Sequence, residues 1–524
     1  MKHITILILL CLLLTASGCT ATSQEAARDT SSSPEPVIRS ETERETMPAR
    51  PRSLTPTGLT ELLEITNQRR ETIIKPAPDT SLVADWNIVE REPDFDPSVI
   101  MMDFRPSFSE SDVYSPEQVQ ADLNYLFYFY ELGYGPFFYF GGKEAFDHAK
   151  QAIWDDLEQM DEITAPAFEA SLVKHLSFVK DAHFVINRNH NYPRLEGYLT
   201  EQAFDQNTEG FSAAESGRQV LSINGREDFA DQMVLSVTPE GKFTYRYCFM
   251  HDSMPEPPVI VYDDGSEQTA ALFSSHEAAG APEETEQIVS YLQIDGIPVI
   301  NITSMGFPHA NDDGEANRFL ELAEELKEEP VLIIDLRRNG GGNGLLPQMW
   351  YEAYTGTYIT PNHYNLFRMD MYNAFGIERN EPDPESFYYI PADINNHYTK
   401  PETINESWVL ENGEPREIID NDRLLIILTS KGTASAADNF TDMAFNIKNT
   451  LVIGSNTTGM FTSAAAVGVK MPESGMVGQM GFNLSVFDDG HFREGVGFMP
   501  DLWVSGDALD TALALAKEFK DSER

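Results

Sequence analysis

Two turns in the C-terminal half hold the residues whose types and spacing best suit chemistry. The first, residues 335–342, reads Asp-Leu-Arg-Arg-Asn-Gly-Gly-Gly, and its consecutive glycines expose backbone N–H groups to a ligand. The second, residues 429–437, reads Thr-Ser-Lys-Gly-Thr-Ala-Ser-Ala-Ala, with Ser435 between alanines. A serine at the start of a helix is accessible and lies in a positive potential, which suits a nucleophilic hydroxyl. Taken singly, such sequences are more often a plain turn and a helix cap.

The elements around these turns indicate an α/β domain over residues 286–520. Apolar runs and apolar residues at helical spacing predict alternating elements. The strands are expected at 297–303, 331–336, 424–429 and 451–453, and helices near 319–326 and 440–447. Near-continuous apolar strands separated by helices are typical of a largely parallel sheet covered on both faces. Residues 355–422 fit this alternation less well and are predicted to be an insertion.

The chain before this domain divides into two further parts. Residues 57–190 are predicted to form a helical N-terminal domain. Ser115-Pro116-Glu117 is a capped helix start that leads into a helix over 118–132, and further helices are expected near 143–160 and 166–179. Residues 191–285 carry short β-prone runs with turn signals, including Asp264-Gly265 between two such runs. The run Val-Leu-Ser-Ile-Asn-Gly-Arg at 220–226 resembles the strand and turn of a PDZ domain. Many β proteins contain such a run, so we expect a β-rich module at 191–285 that is either PDZ-like or an equivalent β fold.

The first residues have the features of a targeting segment. An apolar run over residues 4–14 is too short for a transmembrane helix but suits the core of a signal peptide. The sequence Ala-Ser-Gly-Cys ending at Cys19 resembles a bacterial lipobox, which implies a lipoprotein signal peptide at 1–18 and lipid on Cys19. An ordinary secretory signal is the alternative. Residues 19–56 lack an apolar period and are rich in Ser, Thr, Pro and Glu, so we expect a disordered tether.

Composition excludes several classes of function. The chain has 524 residues, of which 37 are basic and 84 acidic, giving a net charge of −47. Such acidity argues against nucleic-acid binding, which needs a basic surface. Cys248 is the one cysteine beyond Cys19, so the mature chain can form neither an intrachain disulfide nor a cysteine metal cluster. No histidine or acidic cluster has metal-ligand spacing, and we expect no metal and no cofactor.

Taken together, the motifs resemble the tail-specific, or carboxyl-terminal-processing, peptidase family of serine peptidases (family S41). The family pattern is an Asp-Leu-Arg-x-Asn-x-Gly-Gly turn, then Ser-Ala-Ser-Ala-Ala, Val-Gly-x-x-Thr-x-Gly and Gly-x-x-Pro-Asp. This chain has related sequences in the same order at 335–342, 433–437, 453–459 and 497–501. The resemblance covers about 286–505 well and the N-terminal half loosely. It implies a crotonase/ClpP-like sheet and Ser435 as the nucleophile.

The resemblance also bears on the general base. In the bacterial tail-specific branch the base is a lysine directly after Thr-x-Gly, but here Met460 holds that place and cannot take a proton. The branch similar to tricorn proteases uses a histidine from the N-terminal part, in a motif like Asp-Gly-His-Thr, and a glutamate before Pro-Asp. These features imply His183 as the base and Glu494 as the supporting acid. The residue before the base can be a relaying serine in that branch, but here it is Ala182.

Other residues compete for these roles. His175 is an alternative histidine, and Lys431 or Lys470 could restore a Ser–Lys arrangement, although neither has the family spacing. An imidazole base predicts activity that rises through about pH 6 to 7.5. The candidate donors of an oxyanion hole are the N–H groups of Ala436 and of either Gly340 or Gly341.

The sequence thus predicts an extracytoplasmic serine peptidase, lipid-anchored to a bacterial membrane, that acts on peptides or unfolded proteins. The rival hypothesis is an inactive lipoprotein of the same fold that binds peptides or acts as a scaffold. Loss of the family lysine favours the rival, whereas retention of Ser435, His183 and Glu494 favours the enzyme.

Overall fold

A computed structural model of the chain describes residues 55–84, 86, 103–282, 287–306, 314–369, 402–488 and 490–522. The predicted signal peptide, Cys19 and nearly all of the predicted tether lie outside these residues, as does much of the predicted insertion. Within the described part of the chain, no helix is both long and apolar enough to cross a membrane.

Helices occur throughout the described chain. They are α1 Leu59–Thr72, α2 Ser81–Ala84, α3 Pro116–Gly133, α4 Gly142–Leu157, α5 Ala165–His175, α6 Ser275–Ala279, α7 Gly314–Leu326, α8 Leu346–Thr355, α9 Ala436–Ala444 and α10 Ala508–Ser522.

Strands are concentrated after residue 184. They are β1 Val113–Tyr114, β2 Ile163–Thr164, β3 Val185–Ile186, β4 Asn189–His190, β5 Glu196–Thr200, β6 Phe204–Asn207, β7 Gly210–Ala213, β8 Val220–Ile223, β9 Met233–Val237, β10 Phe243–His251, β11 Val259–Tyr262, β12 Glu267–Thr269, β13 Leu272–Ser274, β14 Val289–Ile294, β15 Ile297–Ile302, β16 Val331–Asp335, β17 Tyr364–Arg368, β18 Glu402–Thr403, β19 Trp408–Glu411, β20 Leu424–Thr429, β21 Thr450–Gly454, β22 Ala466–Lys470, β23 Val477–Gly481, β24 Asn483–Val486 and β25 Leu502–Val504.

The three predicted N-terminal helices are present with shifted ends. The predicted helix start at Ser115-Pro116-Glu117 is confirmed: α3 begins at Pro116, and Ser115 and Gln118 form a capping box in which each side chain accepts the other's backbone N–H, at 3.4 and 3.0 Å. The helices expected to reach 160 and 179 end at Leu157 and His175. Beyond those ends the chain continues in single turns rather than in helical hydrogen bonding.

The centre of the molecule is a twelve-stranded sheet with a parallel middle. Its order is β13-β5-β10-β9-β25-β21-β20-β16-β15-β14, with β6 and β7 attached beside β10. The five neighbouring pairs from β15 to β9 are parallel, and the flanking pairs are antiparallel. Parallel strands need helical crossovers, and these are supplied by α7, α8 and α9.

Both faces of the sheet are covered. Val331 and Ile333 face a core that includes residues of α1 and α10, whereas Leu332 and Ile334 face one built with α7, α8 and α9. This alternation follows from the two-residue period of a strand, and two buried faces explain why β16 is apolar throughout. The ends of β16 and β20 therefore bring the two motif-bearing turns to one edge of the sheet.

Residues 191–285 are rich in strands, as predicted, and the hairpin at Asp264-Gly265 is confirmed by antiparallel pairing of β11 with β12. Most of these strands belong to the central sheet: β5, β9, β10 and β13 lie in its path, and β9 pairs with β25 of the C-terminal part. Residues of both parts also share one hydrophobic core. A separate three-stranded sheet contains β12, β11 and β8.

The sequence did not predict α8, α10 or the strands β22 to β24. Within the predicted insertion at 355–422, β17 and β19 pair with each other, and β17 also pairs with β24. The pairing of β17 with β24 joins segments more than a hundred residues apart, which no local sequence pattern could indicate.

A buried ion pair fastens the N-terminal helix α1 to the Pro-Asp motif. Arg70 of α1 binds both carboxylate oxygens of Asp501, with an Nη1–Oδ1 distance of 2.9 Å, and Asp501 also accepts the N–H of Val452 at 2.8 Å. The two side chains are only 3% and 5% exposed. The aspartate of the Pro-Asp motif, Asp501, therefore has a structural role as the partner of the buried Arg70.

We expect Asp501→Ala to lower the free energy of unfolding by about 3 to 5 kcal/mol, because it leaves the Arg70 guanidinium buried and unpaired. Asp295→Asn is the control. It removes the charge of the ion pair with Lys517, in which the side chains are 64% and 53% exposed, keeps a residue type that tolerates the φ of 52° at this position, and should cost less than about 1 kcal/mol. Thermal or urea unfolding measures both variants, and equal losses would contradict the assignment.

Candidate active site

Ser435 lies in a strained turn between β20 and α9. Its backbone has φ 55° and ψ −114°, a conformation that residues other than glycine seldom adopt. The preceding residues hold this turn in place: Ser430 Oγ donates to the Arg337 carbonyl at 2.6 Å, and Thr433 Oγ1 donates to the Leu336 carbonyl at 2.8 Å. The turn that carries Ser435 is therefore fixed against the turn after β16.

Asp438, three residues after Ser435, is a buried anchor that the sequence reasoning missed. Its carboxylate accepts the N–H groups of Ser435 at 2.7 Å, Met460 at 3.0 Å and Gly459 at 3.2 Å. It thereby ties the Ser435 turn to the Thr-x-Gly loop. An acid at the third helical position is the usual pattern of a capping box and could have indicated this role.

The glycine turn packs directly against Ser435. The Asn339 carbonyl accepts the Ala434 N–H at 2.9 Å. At Gly341, which has φ 101°, an added Cβ would lie 2.6 Å from the Ser435 Cβ, so only glycine fits there.

The Gly341 N–H is already used, because it donates to Asn339 Oδ1 at 2.9 Å. This corrects the expectation that either Gly340 or Gly341 could supply a free donor. Gly340 is exposed, and among the described residues neither its N–H nor that of Ala436 donates to an acceptor.

His183 reaches Ser435 from the N-terminal half of the chain. It lies in the short connection between α5 and β3, and its Nε2 is 3.2 Å from Ser435 Oγ. Its backbone N–H donates to Asp181 Oδ1 at 2.9 Å. Burial lowers the pKa of His183 below 6.5, and the charge of Asp181 opposes this shift. The expected rise of activity through about pH 6 to 7.5 therefore moves to lower pH.

Glu494 lies next to His183 in space but does not contact its ring. Its Oε1 accepts the Ala182 N–H at 2.8 Å, and its Oε2 accepts the N–H groups of Phe461 at 3.1 Å and Thr462 at 2.8 Å. Nδ1 of His183 is buried without a hydrogen bond of normal geometry, and the backbone of Ser463 interacts with the ring and favours its protonated form. Burial, followed by the charge of Asp181, raises the pKa of Glu494 to about 8.

The competing residues have other partners. Lys431 Nζ donates to the carbonyl groups of Thr457, Thr458 and Gly495 at 3.0 to 3.1 Å. Lys470 forms an ion pair with Asp103 at 3.3 Å, and His175 contacts Asp156 at 2.7 Å. The structure thus brings Ser435 and His183 together, and it gives each of these three alternatives a different partner.

Comparison with known proteins points to one family. Residues 296–504 match the model of peptidase family S41. Among solved structures, mature CPAF is 12% identical with a TM-score of 0.41, over 78% of this chain and 96% of that one. A putative peptidase from Parabacteroides merdae is 14% identical with a TM-score of 0.37, over 78% and 99%. The photosystem II D1 C-terminal processing protease is 12% identical with a TM-score of 0.34, over 76% and 97%. No curated protein matches the sequence.

Proposed function

Since this chain belongs, through residues 296–504, to peptidase family S41 and is a serine-type peptidase, we propose that it cleaves peptide bonds through an acyl-enzyme on Ser435, with His183 as the general base. The observation that carries this proposal is the 3.2 Å contact between His183 Nε2 and Ser435 Oγ. The strained backbone of Ser435 adds support, because nucleophilic serines are commonly held on such turns between a strand and a helix.

In the proposed reaction, Ser435 Oγ attacks the carbonyl carbon of the scissile peptide bond while His183 Nε2 takes the hydroxyl proton. His183 must therefore be neutral, with its proton on Nδ1. The tetrahedral intermediate collapses as the C–N bond breaks, and His183 gives its proton to the leaving amine nitrogen. Water then attacks the acyl-enzyme with the same base, which releases the acid product and restores Ser435.

The developing negative charge on the carbonyl oxygen needs backbone donors. We assign this role to the N–H groups of Gly340 and Ala436, which flank the Ser435 turn and donate to no described acceptor. Gly341 serves instead by its lack of a side chain, because it lets the glycine turn approach Ser435 closely.

The parallel strand pairs from β15 to β9 support a crotonase-like catalytic sheet, and the β8-β11-β12 sheet is the part of 191–285 that a PDZ-like module would use. The proposed substrates are peptides or unfolded protein segments, in line with the family. The direct test is covalent labelling of the purified wild-type protein by a fluorophosphonate, which requires an activated serine. Absence of both labelling and peptide turnover would favour the inactive scaffold.

We also propose that the mature protein is anchored outside the cytoplasm by lipid on Cys19, on the basis of the lipobox-like sequence alone. Cells expressing the full chain with radiolabelled palmitate should yield labelled protein in the membrane fraction, and Cys19→Ser should abolish the label. Cys248→Ser is the matched control, since Cys248 is buried in the fold and should not affect labelling. Unlabelled wild-type protein in the medium would instead indicate an ordinary secretory signal.

A further inference from the structure

We infer that Asp181 is the positioning residue that holds His183 toward Ser435 and supplies the negative charge its imidazolium form needs, while Glu494 fastens the surrounding backbone. This inference rests on the proposed function, because it assigns a partner to the proposed base. It differs from the role that the family resemblance implies for Glu494.

The hydrogen bonds of Asp181 support the positioning role. Its side chain is fully buried, and its two oxygens accept three hydrogen bonds. Oδ1 accepts the His183 backbone N–H at 2.9 Å, while Oδ2 accepts the hydroxyl groups of Tyr134 at 2.8 Å and Ser463 at 2.6 Å. Tyr134 follows α3 and Ser463 precedes β22. Asp181 therefore joins the helical N-terminal part, the His183 connection and the C-terminal part at one carboxylate.

Tyr134 is suited to remain a donor in this network. It is fully buried, and burial together with the charge of Asp181 raises its pKa well above 10. The phenol therefore keeps its proton across the physiological range and continues to donate to Asp181.

Glu494 makes a different set of contacts. Both of its oxygens are occupied by backbone N–H groups, those of Ala182, Phe461 and Thr462, and none by the His183 ring. Its carboxylate is thus engaged by three backbone donors from two segments of the chain. Glu494 fixes the position of the connection that carries His183, and its charge is directed at these N–H groups and not at the ring.

The charged groups around the base can be compared directly. Asp181 favours the protonated form of the His183 ring, whereas His190, whose Nδ1 lies 3.2 Å from the Ala182 carbonyl, opposes it. Lys431 and Asp181 are the charged groups that act on Glu494 from neighbouring segments. The negative charge that supports proton transfer from Ser435 to His183 is therefore assigned to Asp181.

The test compares Asp181→Asn with Glu494→Gln in the full chain. Each change removes a charge and keeps the size of the side chain. In Asp181→Asn, the acidic limb of the pH–activity profile should move down by about one pH unit. The value of kcat should fall by at most about tenfold. Glu494→Gln weakens the backbone contacts and lowers the rate, but it should leave the limb in place because the Glu494 carboxylate binds backbone N–H groups and does not contact the His183 ring.

Two further measurements keep the inference falsifiable if activity is lost. The His183 ring can be titrated by NMR in the Ser435→Ala background, where Asp181→Asn should lower its pKa without any need for turnover. Tyr134→Phe should raise the pKa of the His183 ring, because it removes a hydrogen-bond donor that partly neutralises the Asp181 carboxylate. An unchanged ring pKa in Asp181→Asn, or a downward shift in Glu494→Gln alone, would overturn the inference. Failure of the proposed function shows separately, as wild-type protein that neither reacts with a fluorophosphonate nor cleaves peptides.

Discussion

Replacing Ser435 by alanine should abolish fluorophosphonate labelling and reduce kcat for peptide cleavage by roughly 10⁴- to 10⁶-fold. The Ser435 hydroxyl oxygen would form the acyl-enzyme, and it is the side-chain atom that lies 3.2 Å from His183 Nε2. The melting temperature should stay close to that of the wild type, since Ser435 makes its structural contacts through its backbone. Undiminished labelling of the variant would contradict the assignment.

Ser435→Gly is an informative companion to this variant. It also removes the hydroxyl, so it should be equally inactive. It should unfold at a higher temperature than Ser435→Ala, because glycine adopts φ 55° and ψ −114° without the strain of about 1 to 3 kcal/mol that other residues incur. Equal melting temperatures would show that the turn stores no such strain.

His183→Ala should reduce kcat nearly as much as loss of Ser435, because a serine hydroxyl without a base is a poor nucleophile. Peptide turnover by the purified variants measures this effect. His175→Ala is the matched histidine control, and Lys470→Ala removes a lysine paired with Asp103. Met460→Leu changes the position that holds a lysine in the bacterial tail-specific branch of the family. All three should remain active. Full activity of His183→Ala together with loss in a lysine variant would replace the histidine mechanism with a Ser–Lys one.

The pH profile separates the two bases further. Burial lowers the pKa of His183 below 6.5, so the neutral ring forms and activity rises at pH values below 6.5. Burial also lowers the pKa of Lys431, to about 8, so a lysine base there would place the rise near pH 8. Burial raises the pKa of Glu494 to about 8 as well, and the comparison is therefore best made in the Glu494→Gln variant too.

The parts of the fold that could be predicted are those governed by local patterns. The apolar runs at β16 and β20, the capped start of α3 and the hairpin at Asp264-Gly265 all depend on residues close together in sequence. The pairing of β17 with β24 and of β9 with β25 depends on contacts between distant segments, and nothing in either strand indicates its partner.

The site shows the same limit. The motifs around Ser435 and His183 indicated which residues should meet, and the structure places them 3.2 Å apart. The sequence could not show that the Gly341 N–H is taken by Asn339, or that Glu494 binds backbone N–H groups instead of the His183 ring. These details depend on the direction of individual hydrogen bonds, which spacing along the chain does not determine.

The position of β25 between β21 and β9 has a consequence for biosynthesis. β25 begins at Leu502, near the end of the chain, yet it joins the strands of the N-terminal half to those that carry the Ser435 turn. A nascent chain on the ribosome cannot close this sheet until Leu502–Val504 have been synthesised, and such long-range pairing is slow. The closed sheet that supports the Ser435 turn therefore forms late in the synthesis of the polypeptide.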